Sequence, residues 1–286
     1  MAQVSRAIRK SLLLLCPRRL RTHLLHTRPN LRKAAPSGMK FVYFHYLSDL
    51  AVNIDTTYKV ERIMWTGVYE QPLIRLLEKN ETAGWSCFDV GANVGAIALA
   101  LAKFIGIEGK VYAFEPGLPN LLRLKSNFKL NPELLERVEI VPVGVGATAQ
   151  KLWWSEERGN PGNALLSNRG TQRARVVPLD EFVLEHAIDR VDFIKVDVEG
   201  MELEVMRGAV GLLRRWHPIL YFETLGRYLG SSRGACFSDF QKLLVGEFGY
   251  QLFRLSAAGD TIPLMDGGHD GYTVAIHPQK PLVALN

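Results

Sequence analysis

The chain has 286 residues, 47% hydrophobic and 22% charged, enough for a sizeable core and one α/β domain with an added segment. Its net charge of +6 is unevenly placed: residues 1–40 carry ten basic residues and no acid, leaving 25 basic against 29 acidic residues in 41–286, a net of −4. A mildly acidic body excludes a broad duplex-binding face, so no nucleic-acid partner is expected. Cys16, Cys87 and Cys236 are far apart and form no CxxC or Cys/His pair. No metal site is expected, and a reducing, cytoplasmic setting is the simple reading.

Residues 1–40 form a basic arm. Its longest apolar run, residues 12–15, is too short for a signal peptide or a membrane span. Val4, Ile8, Leu12 and Leu15 lie at helical spacing beside Arg6, Arg9 and Lys10, as in a segment that rests on an anionic membrane surface. An Arg-rich, acid-free arm also reads as a mitochondrial transit peptide, and a solvated tail is the plain alternative. Residues 41–84 form a lead-in, with short strands at 41–46 and 51–54 and a helix at 72–79 opened by Pro72.

Residues 85–286 read as the main domain. Strands are expected at 85–90, 110–114, 138–143, 191–196 and 218–222, with helices at 94–104, 119–130, 179–186, 201–215 and 238–248 between and after them. This alternation predicts a Rossmann-like, mostly parallel seven-stranded α/β sheet with helices on both faces. Strands 250–255 and 272–276 have no helix between them, so they pair antiparallel as an edge hairpin. Between 143 and 179 the alternation stops, and two extra strands, 152–155 and 173–177, flank a Gly/Pro-rich loop.

Three strand ends carry the chemistry. Phe88-Asp89-Val90-Gly91-Ala92-Asn93-Val94-Gly95 closes a strand, turns on glycine and opens a helix. Gly91 permits the tight turn, and Gly95 lets the helix pack close to the sheet. A dinucleotide fingerprint needs glycine where Asn93 and Ala96 stand, and no Lys-Ser or Lys-Thr pair follows to make a P-loop. A nucleoside cofactor without phosphates fits better. S-adenosylmethionine is the common one, with backbone of 91–95 and the Asp89 carboxylate as candidates for its amino-acid end. Glu115, 24 residues after Gly91 at the next strand end, has the two acceptor oxygens that a ribose diol needs. Gly144, in Val143-Gly144-Val145-Gly146, leaves room for an adenine edge or makes a plain turn.

Asp197 and Glu199 follow the strand at 191–196 and precede Gly200. Alternation in an extended segment would point them the same way. They are the candidate catalytic acids, since two carboxylates in one cleft can hold different proton affinities. Their alternative roles are orienting the loop and capping the next helix. Asn160 and Asn163 in the loop, and Glu70 beside Tyr69, are candidate acceptor contacts. Trp153 and Trp154 face opposite sides of their strand, one for the core and one as a platform. No histidine forms a defensible catalytic pair.

On these residues the chain resembles the FkbM-type S-adenosylmethionine-dependent methyltransferases over roughly residues 67–224. The likeness runs through Gly67-Val68-Tyr69-Glu70, Asp89 to Gly95, Phe114-Glu115-Pro116, Asn127 to Asn131 and Val176-Val177-Pro178-Leu179-Asp180. It continues in Ile194-Lys195-Val196-Asp197-Val198-Glu199-Gly200 with Glu202-Leu203-Glu204, and in Pro218 to Glu223. The resemblance implies O-methylation of sugars or secondary metabolites, with a small-molecule or glycolipid acceptor. Asn163-Ala164-Leu165 stands where a Ser-Ser-Leu run is expected. Two other functions are weighed against it. One is an inactive methyltransferase fold that binds membrane surfaces through its arm, and the other is N-methylation of a protein or small amine.

Overall fold

The computed structural model describes residues 38–66, 69–156, 164–224, 235–264, 271–280 and 282. A hairpin, β1 (Lys40–Tyr46) and β2 (Leu50–Asp55), comes first, followed by α1 (Lys59–Thr66) and α2 (Gln71–Lys79). Next come β3 (Ser86–Val90), α3 (Ala96–Phe104), β4 (Lys110–Phe114), α4 (Leu118–Lys129), a 3-10 turn at Pro132–Arg137 and β5 (Val138–Val141). An inserted four-stranded sheet holds β6 (Gly144–Val145), β7 (Gln150–Glu156), β8 (Ala164–Ser167) and β9 (Gln172–Val177) in the order β6-β9-β7-β8. The chain returns through α5 (Leu179–Glu185), β10 (Phe193–Val196), α6 (Glu202–Arg207), α7 (Val210–Trp216) and β11 (Ile219–Thr224). It ends with α8 (Phe237–Phe240), running into a π-helical turn at Gln241–Glu247, then β12 (Gln251–Leu255), β13 (Thr261–Pro263) and β14 (Gly271–Ile276).

The main sheet has eight strands in the order β13-β12-β14-β11-β10-β3-β4-β5, one more than the seven expected. The five from β11 to β5 are mutually parallel, and β14 runs antiparallel to β11 and to β12. The antiparallel pairing of the last two expected strands is present. However, β14 sits inside the sheet, and the edge hairpin is β12 with the short β13. The central place of β14 fits its sequence, whose Val274 and Ala275 are fully buried on opposite faces.

Strand alternation sorts the sheet into two faces. Phe88, Val90, Phe114, Ile194, Val196, Leu220 and Phe222 point to one core, covered by α5 to α8. Cys87, Val111, Ala113, Phe193, Ile219, Tyr221 and Val274 point to the other, covered by α2, α3, α4 and the β1–β2 hairpin. The polar residues Asp89 and Lys195 fall in phase with this second set. So do Glu115, Asp197 and Glu223, just past or near their strand ends.

The hairpin is tied to the frame by buried asparagines. Asn131 Oδ1 accepts from Ala51 N at 2.9 Å, and its Nδ2 donates to Ala51 O at 2.7 Å. Asn127 Oδ1 accepts from Asn53 N at 2.8 Å, and its Nδ2 donates to Val94 O at 2.8 Å. One side chain therefore joins the lead-in to the 91–95 turn. The single helix expected over 201–215 is two helices instead. The chain breaks at Gly208, where a Cβ would overlap the Gly146 carbonyl. Asp180 then caps the second piece, accepting from Gly211 N and Leu212 N at 2.8 Å each. Neither α1 nor β8 was apparent in the sequence pattern. Residues 164–167, read there as loop, pair with β7.

Candidate functional site

A cavity of about 380 Å³ opens over the carboxyl ends of β3, β4, β10 and β11. Here the strand order steps outward from β3 in both directions, the switch point where open α/β sheets bind ligands. Two walls can be distinguished. One is built from 90–94, Glu115, Pro116, Asn120, Val143–Val145, Trp154 and Leu166, and the other from Tyr69, Glu70, Lys195, Asp197, Glu199, Glu223 and Tyr272. Lys59 and Ile63 of the unanticipated α1 also line it.

The first wall follows from the turn after β3. Gly91 has φ 78°, and a Cβ there would overlap the Asp197 carbonyl oxygen, so only glycine brings the two strand ends this close. Gly91 N and Ala92 N donate to Phe114 O, fixing the turn onto β4. Asn93 takes φ 52°, a left-handed position that asparagine tolerates, and its N donates to Glu115 Oε2 at 2.9 Å. Glu115 Oε1 accepts from Gly117 N at 2.8 Å. Burial pushes the Glu115 carboxyl up to about 7, against hydrogen bonds from Gly117, Asn93 and the Asn120 side chain. A carboxylate has about four acceptor positions, so the two backbone donors and the Asn120 amide leave about one for a ribose hydroxyl.

Asp89 does not line this cavity. Its side chain lies fully buried below the surface, opposite Lys195 in the β3–β10 register, with Lys195 Nζ 3.3 Å from Oδ1. This corrects its expected role as a direct cofactor contact, because its side chain lies behind the lining and its charge is met by Lys195. Lys195 Nζ also donates to Gly91 O at 2.9 Å and lies 3.6 Å from Asp197 Oδ2. Burial alone would lower the Lys195 ammonium. Asp89 and then Asp197 outweigh it and hold the group above the ordinary lysine value. Gly95 is likewise absent from the lining. A Cβ there would meet Leu124 at 2.5 Å, so its part is helix packing rather than ligand contact.

On the second wall, Tyr272 Oη donates to Asp197 Oδ2 at 3.0 Å and Tyr221 Oη donates to Glu70 Oε2 at 2.6 Å. The two tyrosine rings stack at 4.7 Å and 4°. The pair therefore holds two carboxylates, 127 positions apart in the chain, against one cavity. Burial raises the Glu70 carboxyl; the Tyr221 hydrogen bond opposes this, while repulsion from Asp197 adds to it. Glu70 has φ 44°, backbone strain of the sort that collects at functional sites.

Asp197 and Glu199 both reach the cavity, Asp197 in phase with β10 but Glu199 not by strand alternation. The segment after Val196 is a bend, and Glu199 has φ 56°. Glu202, with no role expected from the sequence, organises the bend: its Oε1 accepts from Val198 N at 3.0 Å and Gly200 N at 3.2 Å. Burial pushes its carboxyl up to about 7. Gly144 lines the cavity, and of the two tryptophans Trp154 does so. Asn160 and Asn163 lie outside the described residues. No contiguous motif in the sequence assigns a role to Lys195, Tyr221, Tyr272 or Asn120. The usable signal for Lys195 and Tyr221 was their phase, polar groups at inward positions of buried strands.

A family model described as a methyltransferase FkbM domain matches residues 89–251. The hexuronic acid methyltransferase AglP of Haloferax volcanii is 29% identical over 148 residues, 51% of this chain and 58% of that protein. Methyltransferase sdnD of Sordaria araneosa is 28% identical over 153 residues, 42% of this chain and 58% of that protein. The chain thus spans 58% of the length of each of these curated relatives. Among solved structures, methyltransferase FkbM from Methylobacillus flagellatus is similar at TM-score 0.46 and 17% identity, over 76% of this chain and 54% of that one. An O-methyltransferase from Bacillus cereus is similar at TM-score 0.46 and 16% identity, over 73% and 80%.

Proposed function

The chain belongs to the FkbM family of S-adenosylmethionine-dependent methyltransferases, and on that premise we propose that it methylates a hydroxyl of a sugar-containing, lipid-linked or secondary-metabolite acceptor. The observation that carries this is the two-walled cavity: a ribose-type carboxylate beside a glycine turn on one side, and tyrosine-held carboxylates on the other.

The residues present suit the methyl donor. The cavity volume falls in the range of about 300–1,000 Å³ usual for small-ligand sites. The left-handed turn at Gly91 and Asn93 presents the backbone of 91–94 along the cavity lining. Five lining carboxylates against Lys59 and Lys195 suit a donor that carries a sulfonium. Glu115 would take a ribose hydroxyl. When bound, S-adenosylmethionine supplies an electrophilic methyl group on a good leaving group. The chain's own work is then alignment, exclusion of water and handling of one proton. Tyr272 and Lys195 fix the Asp197 carboxylate, and Tyr221 fixes that of Glu70. Glu70, raised by burial, is suited to accept the proton of an acceptor hydroxyl held by Asp197 and Glu199.

The same acidic lining favours a neutral acceptor over a free carboxylate. It also gives the one specific support for a second reading, transfer to an amine. Incubation with labelled donor against sugar, lipid and protein fractions, followed by identification of the labelled atom, tests both. A labelled methyl ether supports the hydroxyl and a labelled methylamine supports the amine. Absence of both donor binding and transfer would contradict the proposal. Contact of the 1–40 arm with anionic membrane is a separate proposal. It predicts that the full chain sediments with anionic vesicles and that a chain starting at Met39 does not; equal sedimentation would remove it.

A further inference from the structure

Beside Glu115, two buried polar atoms have no hydrogen-bond partner among the described residues: Asn120 Oδ1 and Trp154 Nε1. Asn120 is 1% exposed and Trp154 4%, and both line the cavity. An unmet buried donor or acceptor costs roughly 1–3 kcal/mol, and native structures hold few of them. One donor and one acceptor left unmet in the same wall point to a ligand that completes both.

The chemistry of that ligand follows from the neighbours. The Asn120 amide nitrogen is directed to Glu115, which leaves its carbonyl oxygen as the spare group. The indole N–H can only donate. Pro116, Val143, Val145 and Leu166 supply apolar surface around them. A ribose held by Glu115 places its base in the adjoining part of the cavity. Trp154 is brought there by the inserted sheet and packs over Gly117, where any Cβ would overlap the indole.

We propose that Trp154 and Asn120 form the base-reading pair of the cavity, the indole N–H donating to a ring nitrogen of adenine and the Asn120 carbonyl accepting from its 6-amino group. This rests on the methyl-donor reading above and adds which residues select the base. Both atoms are covered, Nε1 against Gly117, so base reading includes a small side-chain movement that uncovers them.

The test compares S-adenosylhomocysteine with S-inosylhomocysteine by calorimetry on the full-length chain. Inosine replaces the 6-amino donor by an oxygen acceptor, which would face the Asn120 carbonyl. The wild-type chain should bind the adenine ligand about tenfold to a hundredfold more tightly. Asn120→Leu should shrink that ratio to within about threefold, and Trp154→Phe should weaken adenine binding by about fivefold or more. The ratio is measured on one protein at a time, so a general loss of stability does not imitate it. As a second readout, the Trp154 indole N–H resonance, assigned by its absence in Trp154→Phe, should move when S-adenosylhomocysteine is added. A wild-type chain that binds the adenine ligand while both variants keep its affinity and ratio, with a stationary resonance, overturns this inference alone. A wild-type chain that binds neither ligand overturns the methyl-donor reading as well.

Discussion

The two walls of the cavity are built in opposite ways. The wall after β3 and β4 has a local base, completed by Trp154 and Leu166 of the inserted sheet: Gly91, Asn93 and Glu115 lie within 25 residues, and their main contacts are backbone groups meeting one carboxylate. The second wall is assembled from afar: Glu70 meets Tyr221 across 151 positions, and Asp197 meets Tyr272 across 75. A local wall of backbone donors suits a constant ligand. A wall of side chains gathered from four segments can change its acceptor without disturbing the frame. The lysine between them, Lys195, touches both, through Gly91 O on one side and Asp197 on the other.

Substitutions can break this division. The largest effect is expected from Gly91→Ala, which adds a Cβ into the Asp197 carbonyl at a positive φ and so strikes both walls. It should cost on the order of 3 kcal/mol of folding stability by chemical denaturation and abolish donor binding. Next is Glu115→Gln, which keeps the volume but removes the charge. Donor affinity should fall by about 1.5–3 kcal/mol by calorimetry, with the fold retained. An affinity within about twofold of wild type would take Glu115 out of the ribose role.

Changing pH separates the same two effects without mutation. Glu115 and Glu202 are raised to about 7 in the fold, against an ordinary value of 4.5. Between those limits the folded chain keeps protons that the unfolded chain has lost. Their stabilising contribution is therefore full below about 4.5 and is lost as pH rises through about 7. Donor affinity should move the other way, since ribose hydroxyls donate best to an ionised Glu115. Denaturation and calorimetry at pH about 5.5 and about 8.5 check both signs. The smallest effect on donor binding should come from Tyr272→Phe, within about twofold, because it loosens Asp197 and Glu70 on the second wall and leaves Glu115 untouched. Its effect belongs to transfer, where a loss of about tenfold or more is expected once an acceptor is in hand.

The difference between the walls also explains what could be read in advance. The glycine turn, the Glu115 strand end and the Asp197 bend are contiguous motifs, and the parallel frame follows from the alternation of strands and helices. Asp89 was misplaced because a motif shows which residue ends a strand, not whether a neighbouring strand has already claimed its charge. Register settles that, since Asp89 and Lys195 are direct neighbours in the β3–β10 pairing. Glu70 could be named, but its tyrosine could not, since nothing local links residues so far apart. Trp154 reaches the cavity only through the inserted sheet, whose packing over Gly117 is a tertiary fact. The eighth strand escaped notice because Thr261–Pro263 is three residues long.

The most direct test of the two-wall account is calorimetric titration of S-adenosylhomocysteine into the wild-type chain, Glu115→Gln and Tyr272→Phe under one condition. The account predicts binding to wild type, a loss of about tenfold or more in Glu115→Gln, and a change within about twofold in Tyr272→Phe. No heat with folded wild type, or a Tyr272→Phe loss as large as that of Glu115→Gln, would contradict it.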